Sequence, residues 1–336
     1  MIEHKDPGIP NGWYAVAFSR DIGPGEVKRI RYFEHELVLF RTRSGEARVL
    51  SAYCPHLGAH LGEGGRVMGE TVRCPFHGWQ YDGESGECVT IPYCSRIPPK
   101  AKVRSWHVVE RNHMIFVWYH LEDKPPEWDV PAVPQFDDDD WIEPRHFEVT
   151  IPVHMQDMAE NNLDPVHFQY VHSMTDVPPS EIELYDDGRR MRAVSYSNQE
   201  TPVGTFDMEL IRETWNMGLN SVESRGIPNC GLYMFTSTSP IDRETTVSRW
   251  LLTCTRNLAD IAGEEWIANI TKGLMDDWRI WANKVHLPDP VLCEEDKLLG
   301  EFRRWVKQFY SPGAAEAAPP PGRKQIAFDP EAAKLG

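Results

Sequence analysis

Two short cysteine–histidine pairs lie in the stretch CPHLGAHLGEGGRVMGETVRCPFHGW, residues 54–79. The first pair is Cys54 and His56, and the second is Cys74 and His77. Two thiols and two imidazoles at such spacing indicate a metal site. These residues leave two possibilities open. One is a tetrahedral zinc that serves folding. The other is a [2Fe–2S] cluster in which two Cys hold one iron and two His hold the other.

The order of the four residues favours the iron–sulfur cluster. A zinc finger usually follows a Cys pair with a His pair on a helix, whereas here each half contains one Cys and one His. Each half then supplies one ligand to each iron. Gly58 and Gly78 follow the two halves, next to Leu57 and Trp79. Glycines let backbone N–H groups approach inorganic sulfides, and apolar neighbours exclude water.

A second set of candidate ligands contains His167 and His172, which are five residues apart. On an ideal helix this spacing is a rotation of roughly 140°. The two rings share a face only if the helix is irregular, which Pro165 favours. Two His and one carboxylate on one face of Fe(II) leave coordination positions open for O₂. Two unrelated histidines of the core or surface are the alternative.

The carboxylate of such a triad is either Asp276 or Asp277, which are adjacent in a predicted helix over about 263–284. Asp277 falls within the apolar stripe of this helix, and Asp276 falls outside it. A carboxylate on an apolar face needs a partner, and a metal ion is one. The pattern therefore selects Asp277 as the ligand and predicts that Asp276 faces solvent. The stripe consists of Trp266, Ile270, Leu274 and Trp281.

Asp164 precedes His167 by three residues, which is about one helical turn. A carboxylate there can accept a proton from the outer nitrogen of a metal-bound imidazole and so fix its tautomer. The alternative is an aspartate on the surface of a helix.

These residues require elements that position them. Short β-rich runs separated by Gly and Pro turns predict an all-β unit over residues 10–120, with both Cys/His pairs on its loops. Residues 121–144 are rich in Pro and Asp and predict a linker. Residues 145–310 are predicted to contain both helices and strands, with one helix from about Met155 to Tyr170. Strands are predicted at 190–197, 231–239 and 245–255. Residues 311–336 form a Pro- and Ala-rich tail outside the core.

Composition limits the class of protein. The chain has 336 residues, a formal net charge of −16 and seven cysteines. The negative charge argues against a nucleic-acid surface. The N-terminus has no apolar signal-peptide core, and no apolar run is long enough to span a bilayer. An odd number of cysteines in a chain of this size is typical of a reducing compartment, so the expected location is cytoplasmic.

The motifs resemble a known family. CPH…CPFHGWQYDG closely resembles the Rieske signature, and Asp-x-x-His-x-x-x-x-His resembles the oxygenase component of Rieske non-haem iron oxygenases. NNLDPVHFQYVH is similar to the 3-ketosteroid 9α-hydroxylase oxygenases. So is IWANK…LCEEDK…FRRWVKQFY, which is also similar to the cholesterol 7-desaturases.

This resemblance implies an α+β fold, with an N-terminal all-β Rieske [2Fe–2S] domain and a C-terminal helix-grip (START-like) catalytic domain. It implies a mononuclear Fe(II) held by His167, His172 and Asp277. It also implies a homotrimer, in which Asp164 bridges His167 to His77 of the next subunit.

The implied activity is monooxygenation of a hydrophobic polycyclic substrate, most simply a steroid, with O₂. A separate flavin/ferredoxin-type reductase would supply electrons from NADH or NADPH, because this chain has no Gly-x-Gly-x-x-Gly after a strand. Sterol desaturation and hydroxylation of an aromatic ring are alternatives. A Rieske electron carrier and a zinc-stabilised lipid-binding protein are alternatives from other classes. Candidate residues of the substrate pocket are Met174, Met208, Trp215 and Phe235, and the alternative for each of them, favoured by residue type, is a place in the core.

Overall fold

The computed structural model describes residues 8–201, 204–314 and 334–335. They form two compact units. The first contains residues 13–132, and the second contains residues 8–12, 133–314 and 334–335. Most of the predicted tail, 315–333 and 336, lies outside the described residues.

The first unit is built of ten short strands, since its sequence alternates β-branched or aromatic runs with tight turns. They are β1 Gly12–Phe18, β2 Val27–Tyr32, β3 His35–Arg41, β4 Ala47–Ser51, β5 Arg66–Met68, β6 Thr71–Arg73, β7 Gln80–Asp82, β8 Cys88–Thr90, β9 Val108–Arg111 and β10 Met114–Tyr119. A 3₁₀ turn covers Ser19–Asp21. The strands form three sheets, in the orders β1-β10-β9, β2-β3-β4 and β5-β6-β7-β8.

The second unit is a sheet with helices. Its strands are β11 Arg145–Ile151, β12 Ser180–Tyr185, β13 Arg190–Thr201, β14 Gly204–Asn216, β15 Leu219–Arg225, β16 Leu232–Pro240, β17 Thr246–Cys254 and β18 Lys334–Leu335. Its helices are α1 Met155–Ala159, α2 Val166–Tyr170, α3 Arg256–Ala262, α4 Glu265–Trp281 and α5 Lys297–Trp305. Short 3₁₀ turns cover Pro134–Phe136, Glu160–Leu163, Glu294–Asp296 and Val306–Phe309.

The eight strands of the second unit form one sheet in the order β12-β13-β14-β15-β16-β17-β11-β18. The pairings are antiparallel throughout, so long hairpins make up most of it. Helix α4 packs against this sheet through its apolar stripe. Trp281 joins a buried cluster with Phe147 and Ile151 of β11, and Trp266 packs with Leu252 of β17. The predicted α+β class, an all-β unit followed by a sheet around a long helix, is confirmed.

One predicted helix is broken. In place of the helix expected over Met155–Tyr170, the chain forms α1, then the 3₁₀ turn over Glu160–Leu163, and then α2. The break lies at Asp164 and Pro165, between the 3₁₀ turn and α2. Asp164 has extended backbone angles, φ −105° and ψ 92°. Proline disfavours helical angles in the residue before it, which explains the break at this position. Among the described residues, no helix has the length and apolar character that crossing a bilayer requires.

Candidate metal centres and the adjoining cavity

The two Cys/His loops of the first unit adopt the same turn. The N–H of Gly58 donates to the carbonyl of Cys54 at 2.9 Å, and the N–H of Gly78 donates to the carbonyl of Cys74 at 3.2 Å. Both glycines have left-handed backbone angles, with φ of +73° and +75°. Residues with a side chain are strained in this conformation, so glycine is required at both turns. Each loop thus presents its Cys and His from a tight, fixed backbone.

The four candidate ligands of the cluster lie together in the first unit. Cys54 and Cys74 are each 2% exposed. The rings of His56 and His77 lie 4.8 Å apart between centroids and are inclined at 72°. Burial raises the pKa of the Cys74 thiol, so metal binding there must displace its proton. One pair of neighbouring buried sulfurs and one pair of neighbouring imidazoles fit a cluster ligated on one iron by Cys and on the other by His.

Two aromatic residues support these ligands. The ring of Trp79 stacks on His56 at 4.6 Å and an angle of 9°. The hydroxyl of Tyr81 lies 3.0 Å from the sulfur of Cys54. Burial, and then the neighbouring Cys54, raise the pKa of Tyr81, so the phenol stays protonated and can donate to a Cys54 thiolate. Hydrogen bonds to ligand sulfurs tune the reduction potential of iron–sulfur clusters.

Three candidate iron ligands meet in the second unit. One ligand atom from each of His167, His172 and Asp277 lies within 4.8 Å of the others. Nε2 of His172 is 3.4 Å from Oδ2 of Asp277. His172 lies just past the end of α2, where its N–H still donates to the carbonyl of Phe168 at 3.2 Å. Because this last turn is irregular, the His172 side chain lies on the same side as that of His167, although a regular helix would separate residues at this spacing.

Asp276 and Asp277 point in different directions on α4. Asp277 is 7% exposed and belongs to the triad. The carboxylate of Asp276 is partly exposed and binds Nζ of Lys272 at 2.6 Å. That ammonium group lowers the pKa of Asp276. The structure thus places Asp277, and not Asp276, in the triad, as the apolar stripe predicts, although Asp276 also lines the cavity described below.

The contact between Asp164 and His167 differs from the predicted one. Oδ1 of Asp164 accepts from the N–H groups of Val166 and His167, at 3.0 and 3.2 Å, and so caps α2. The ring Nδ1 of His167 instead meets the main-chain carbonyl of Asp164. A carbonyl can only accept, so it selects the tautomer with the proton on Nδ1 and makes Nε2 the ring atom that could bind a metal. In this structure that Nε2 accepts from the side-chain amide of Asn161 at 3.2 Å. Burial lowers the pKa of His167, which keeps the ring neutral.

A cavity of about 410 Å³ adjoins the triad. Its helical wall contains the triad together with Ile270, Leu274 and Trp281. Its other wall is one face of the sheet, where alternate residues of neighbouring strands point inward. These are Leu210 and Arg212 of β14, Asn220 and Val222 of β15, Met234, Thr236 and Thr238 of β16, and Trp250 of β17.

The four pocket residues predicted from the sequence are wrong for this cavity. Met174 and Met208 line a different depression, and Trp215 and Phe235 pack together at a centroid distance of 6.4 Å. Phe235 lies between the cavity residues of β16, so it points to the opposite face of the sheet. Neither β14 nor β15 was among the predicted strands, so their inward faces could not be assigned. Alternation along β14, where Arg212 follows the apolar residues Met208 and Leu210 at every second position, is the signal that could have found this strand.

Another His/Asp group lies nearby. His154, Asp157 and His286 also bring one possible ligand atom each within 4.8 Å. Here Lys284 already provides a cation, with Nζ 3.4 Å from Oδ1 of Asp157. Nδ1 of His286 lies 3.0 Å from Oδ2. We therefore interpret this group as a buried ion pair that joins α1 to the segment after α4.

Comparisons with known proteins agree with the two units. Residues 12–107 match the Rieske [2Fe–2S] domain. Residues 117–310 match the 3-ketosteroid 9alpha-hydroxylase C-terminal domain. The second match covers more than half of the chain.

The relatives include a sterol desaturase and the oxygenase component of a steroid monooxygenase, and both are longer than this chain. Cholesterol 7-desaturase nvd 1 of Ciona intestinalis is 31% identical over 332 residues, which are 91% of this chain and 69% of the relative. The oxygenase component of a 3-ketosteroid-9-alpha-monooxygenase of Rhodococcus rhodochrous is 30% identical over 319 residues, 89% of this chain and 82% of the relative.

Solved structures share the fold at lower identity. Dicamba monooxygenase with non-heme iron and dicamba superposes with a TM-score of 0.67 at 18% identity, covering 91% of this chain and 98% of that one. NdmA of Pseudomonas putida CBB5 with caffeine superposes with a TM-score of 0.69 at 22% identity, covering 88% of this chain and 89% of that one.

Fold, motifs and relatives together define the class: this chain is the terminal oxygenase component of a Rieske-type system, an oxidoreductase that uses a [2Fe–2S] cluster and a non-haem iron. Within that class, it belongs to the family that carries the 3-ketosteroid 9α-hydroxylase type of C-terminal domain.

Proposed function

We propose that this oxygenase hydroxylates a polycyclic, steroid-like molecule bound in the cavity beside His167, His172 and Asp277. The single observation that supports this most is the position of the cavity, since the candidate triad forms part of its wall. A volume of about 410 Å³ lies in the usual range for small-molecule sites. The apolar side chains on both walls suit a hydrophobic ring system.

We assign the metal ligands residue by residue. Cys54, Cys74, His56 and His77 would hold the cluster, and the triad would hold the mononuclear iron. When bound, these groups supply single electrons and O₂ activation, so that a substrate C–H, O₂, two electrons and two protons give C–OH and water. The protein's own part is to hold the imidazoles neutral and to orient them. The Asp164 carbonyl does this for His167.

Desaturation is the second candidate activity. It is supported by the similarity to the cholesterol 7-desaturase of Ciona intestinalis. The same triad and cavity serve both outcomes, so product analysis has to separate them. A hydroxylase would add one oxygen atom from O₂ to the substrate, whereas a desaturase would remove two hydrogens and leave no new oxygen.

The electrons would come from a separate flavin/ferredoxin-type reductase that oxidises NADH or NADPH. The relative from Rhodococcus rhodochrous is named as an oxygenase component, which implies such a partner. We also propose a cytoplasmic location, in keeping with the seven unpaired cysteines.

We further propose a homotrimer in which Asp164 meets His77 of the partner subunit. Head-to-tail contacts between identical subunits close into rings when the rotation permits. Co-expression of His77→Ala with His167→Ala tests this arrangement, because only a mixed ring can pair an intact cluster with an intact iron site. Activity should return in the mixture and stay absent in each variant alone. An inactive mixture, with mixed rings verified by mass, would overturn the bridge between subunits.

The activity itself is tested by single turnover. The reduced protein, with both metals present, is mixed with ¹⁸O₂ and a panel of 3-ketosteroids and sterols. We expect one labelled oxygen atom in the product. Intact metals and bound steroid without any oxidised product would contradict the proposed function, and an unlabelled alkene would favour desaturation.

A further inference from the structure

One charged side chain of the cavity has no use in the activity proposed above. Arg212 lies on β14, is 3% exposed and lines the cavity. Its Nη2 donates to the hydroxyl of Ser195. Its Nε and Nη1 are buried and have no hydrogen-bond partner among the described residues. A guanidinium has five N–H donors, so most of its hydrogen-bonding capacity is unused.

The charge of Arg212 is also uncompensated. Within the described ranges, no carboxylate forms an ion pair with it. The carboxylate that acts on it electrostatically is Asp164, whose Oδ1 is occupied in capping α2. Burial therefore dominates and lowers the pKa of Arg212 to about 10, which leaves the group charged at neutral pH. A buried cation without a partner is costly unless an anion completes it.

Arg249 of the same sheet shows how the chain neutralises a structural arginine. It is 4% exposed, and its Nε lies 2.8 Å from Oε2 of Glu148 on the neighbouring strand. It does not line the cavity. Two arginines of one sheet are thus equally buried, yet only the one that does not face the cavity has a carboxylate beside it.

The position of Arg212 places it close to the reacting end of the cavity. Its guanidinium lies 5.5 Å from the ring centroid of Phe168. That ring is 4.3 Å from the ring of His167 and 5.8 Å from that of His172. The ring of Phe168 is therefore in contact with both Arg212 and the candidate iron ligands, so a group bound by Arg212 lies close to the iron site. Asn220 lines the same wall and also has an unmatched buried oxygen, Oδ1.

We propose that Arg212 binds a carboxylate of the substrate, so that the preferred substrate is an acidic polycyclic molecule and not a neutral one. The inference rests on the proposed function for the identity of the cavity as the substrate site. A carboxylate supplies two oxygens to the planar guanidinium and neutralises its charge. A ketone or ester supplies acceptors but leaves the charge unpaired. The apolar walls hold the ring system, and Arg212 sets which end of it enters.

The test compares a steroid C-17 carboxylic acid with its methyl ester as probes. Both are titrated into the protein with its metals in place, and binding is followed by tryptophan fluorescence, since Trp250 and Trp281 line the cavity. We expect the acid to bind roughly 10- to 100-fold more tightly than the ester, because hydrogen bonds to charged groups contribute about 1.5–3 kcal/mol. Equal affinities in the unaltered protein would overturn the proposal.

Variants of Arg212 test whether this side chain causes the preference for the acid over the ester. Arg212→Met keeps the length of the side chain and removes its charge, so the acid should lose its advantage while ester binding changes by less than about threefold. Arg212→Lys keeps the charge without the planar fork and should retain part of the preference. An acid preference that persists in a folded Arg212→Met protein contradicts the proposal. If that variant does not fold, a preference undiminished in Arg212→Lys, or none in the unaltered protein, contradicts it.

Arg249→Met is the matched control. It removes an equally buried arginine from the same sheet, so it should lower the melting temperature but leave the ratio of acid to ester affinity unchanged. The assay measures binding alone, so its outcome does not depend on turnover. Bound acid without any oxidised product contradicts the proposed function only, whereas equal binding of acid and ester with normal turnover contradicts the role of Arg212 only.

Discussion

The two candidate metal centres are built in opposite ways. The cluster ligands lie on two tight loops of one small β unit, between Cys54 and His77. The iron triad combines His167 of α2 and His172, just past its end, with Asp277 on α4. The first site is fixed by local turns, whereas the second requires two distant parts of the chain to be held together.

The second site has a clamp for this purpose. Asp157 of α1 meets Lys284 and His286, which follow α4 directly. Glu160, in the 3₁₀ turn after α1, pairs with Arg303 of α5 at 2.8 Å. Both carboxylates are buried, so these pairs form where water does not compete. A non-local metal site thus depends on ion pairs outside its ligands, and a local one depends on glycine turns.

The largest effect is expected from the ligand that joins the two parts of the iron site. Asp277→Ala should abolish turnover, by a factor of at least about 10³, because the triad loses its only carboxylate. The reduced protein should keep its Rieske EPR signal, since the first unit is untouched. Asp276→Ala is the matched control and should retain activity within about threefold. An inactive Asp276→Ala with an active Asp277→Ala would reverse the assignment.

Asp164→Asn should have the next largest effect. The amide oxygen can still cap α2, and the main-chain carbonyl that faces His167 is unchanged, so both metal contents should persist. Loss of the carboxylate should slow electron transfer between the centres by roughly 10- to 100-fold, in the range seen for residues that support metal ligands. Rapid-mixing absorbance of cluster oxidation measures this step. A normal rate would show that the carboxylate acts only as a helix cap.

Asp157→Asn tests the clamp. Burial alone would raise the pKa of Asp157, but His286 and Lys284 outweigh burial and lower it. A lowered folded-state pKa contributes stability that is present above the ordinary carboxyl pKa and is lost as the pH falls through the folded value. The variant should therefore lose about 3 kcal/mol of unfolding free energy at pH 7, and less near pH 3. A deficit that is the same at both pH values would exclude the ionic role. Iron affinity should fall while the cluster stays intact.

Tyr81→Phe tests the cluster site with the smallest expected change. It removes one hydrogen bond to the sulfur of Cys54 without altering the backbone turns. A hydrogen bond worth about 1 kcal/mol corresponds to roughly 40 mV for a one-electron couple. The midpoint potential should fall by that amount, because the bond stabilises the more negative reduced state. Spectroelectrochemical titration measures it, and an unchanged or higher potential would remove Tyr81 from this role.

The same contrast explains what the sequence could reveal. The Cys/His pairs are local, so their spacing and the following glycines predicted an intact site on loops. The apolar stripe of α4 separated Asp277 from Asp276, because helical periodicity reports which face is buried. The convergence of His167 and His172 depends on the irregular turn that ends α2. Pro165 indicated an irregular helix, but the sequence did not specify this turn. The clamp of Asp157 depends on tertiary pairing, which no local pattern encodes. The inward face of β14 was missed because this strand was not predicted, although its alternation is a local signal.

The most direct test of the account is the iron and acid-labile sulfide content per chain of the purified protein, measured beside Asp277→Ala. We expect about three irons and two sulfides in the unaltered protein, and two irons and two sulfides in the variant. Zinc in place of iron, or an iron content that is equal in the two proteins, would contradict the assignment of a cluster on local loops and a separate iron held by Asp277.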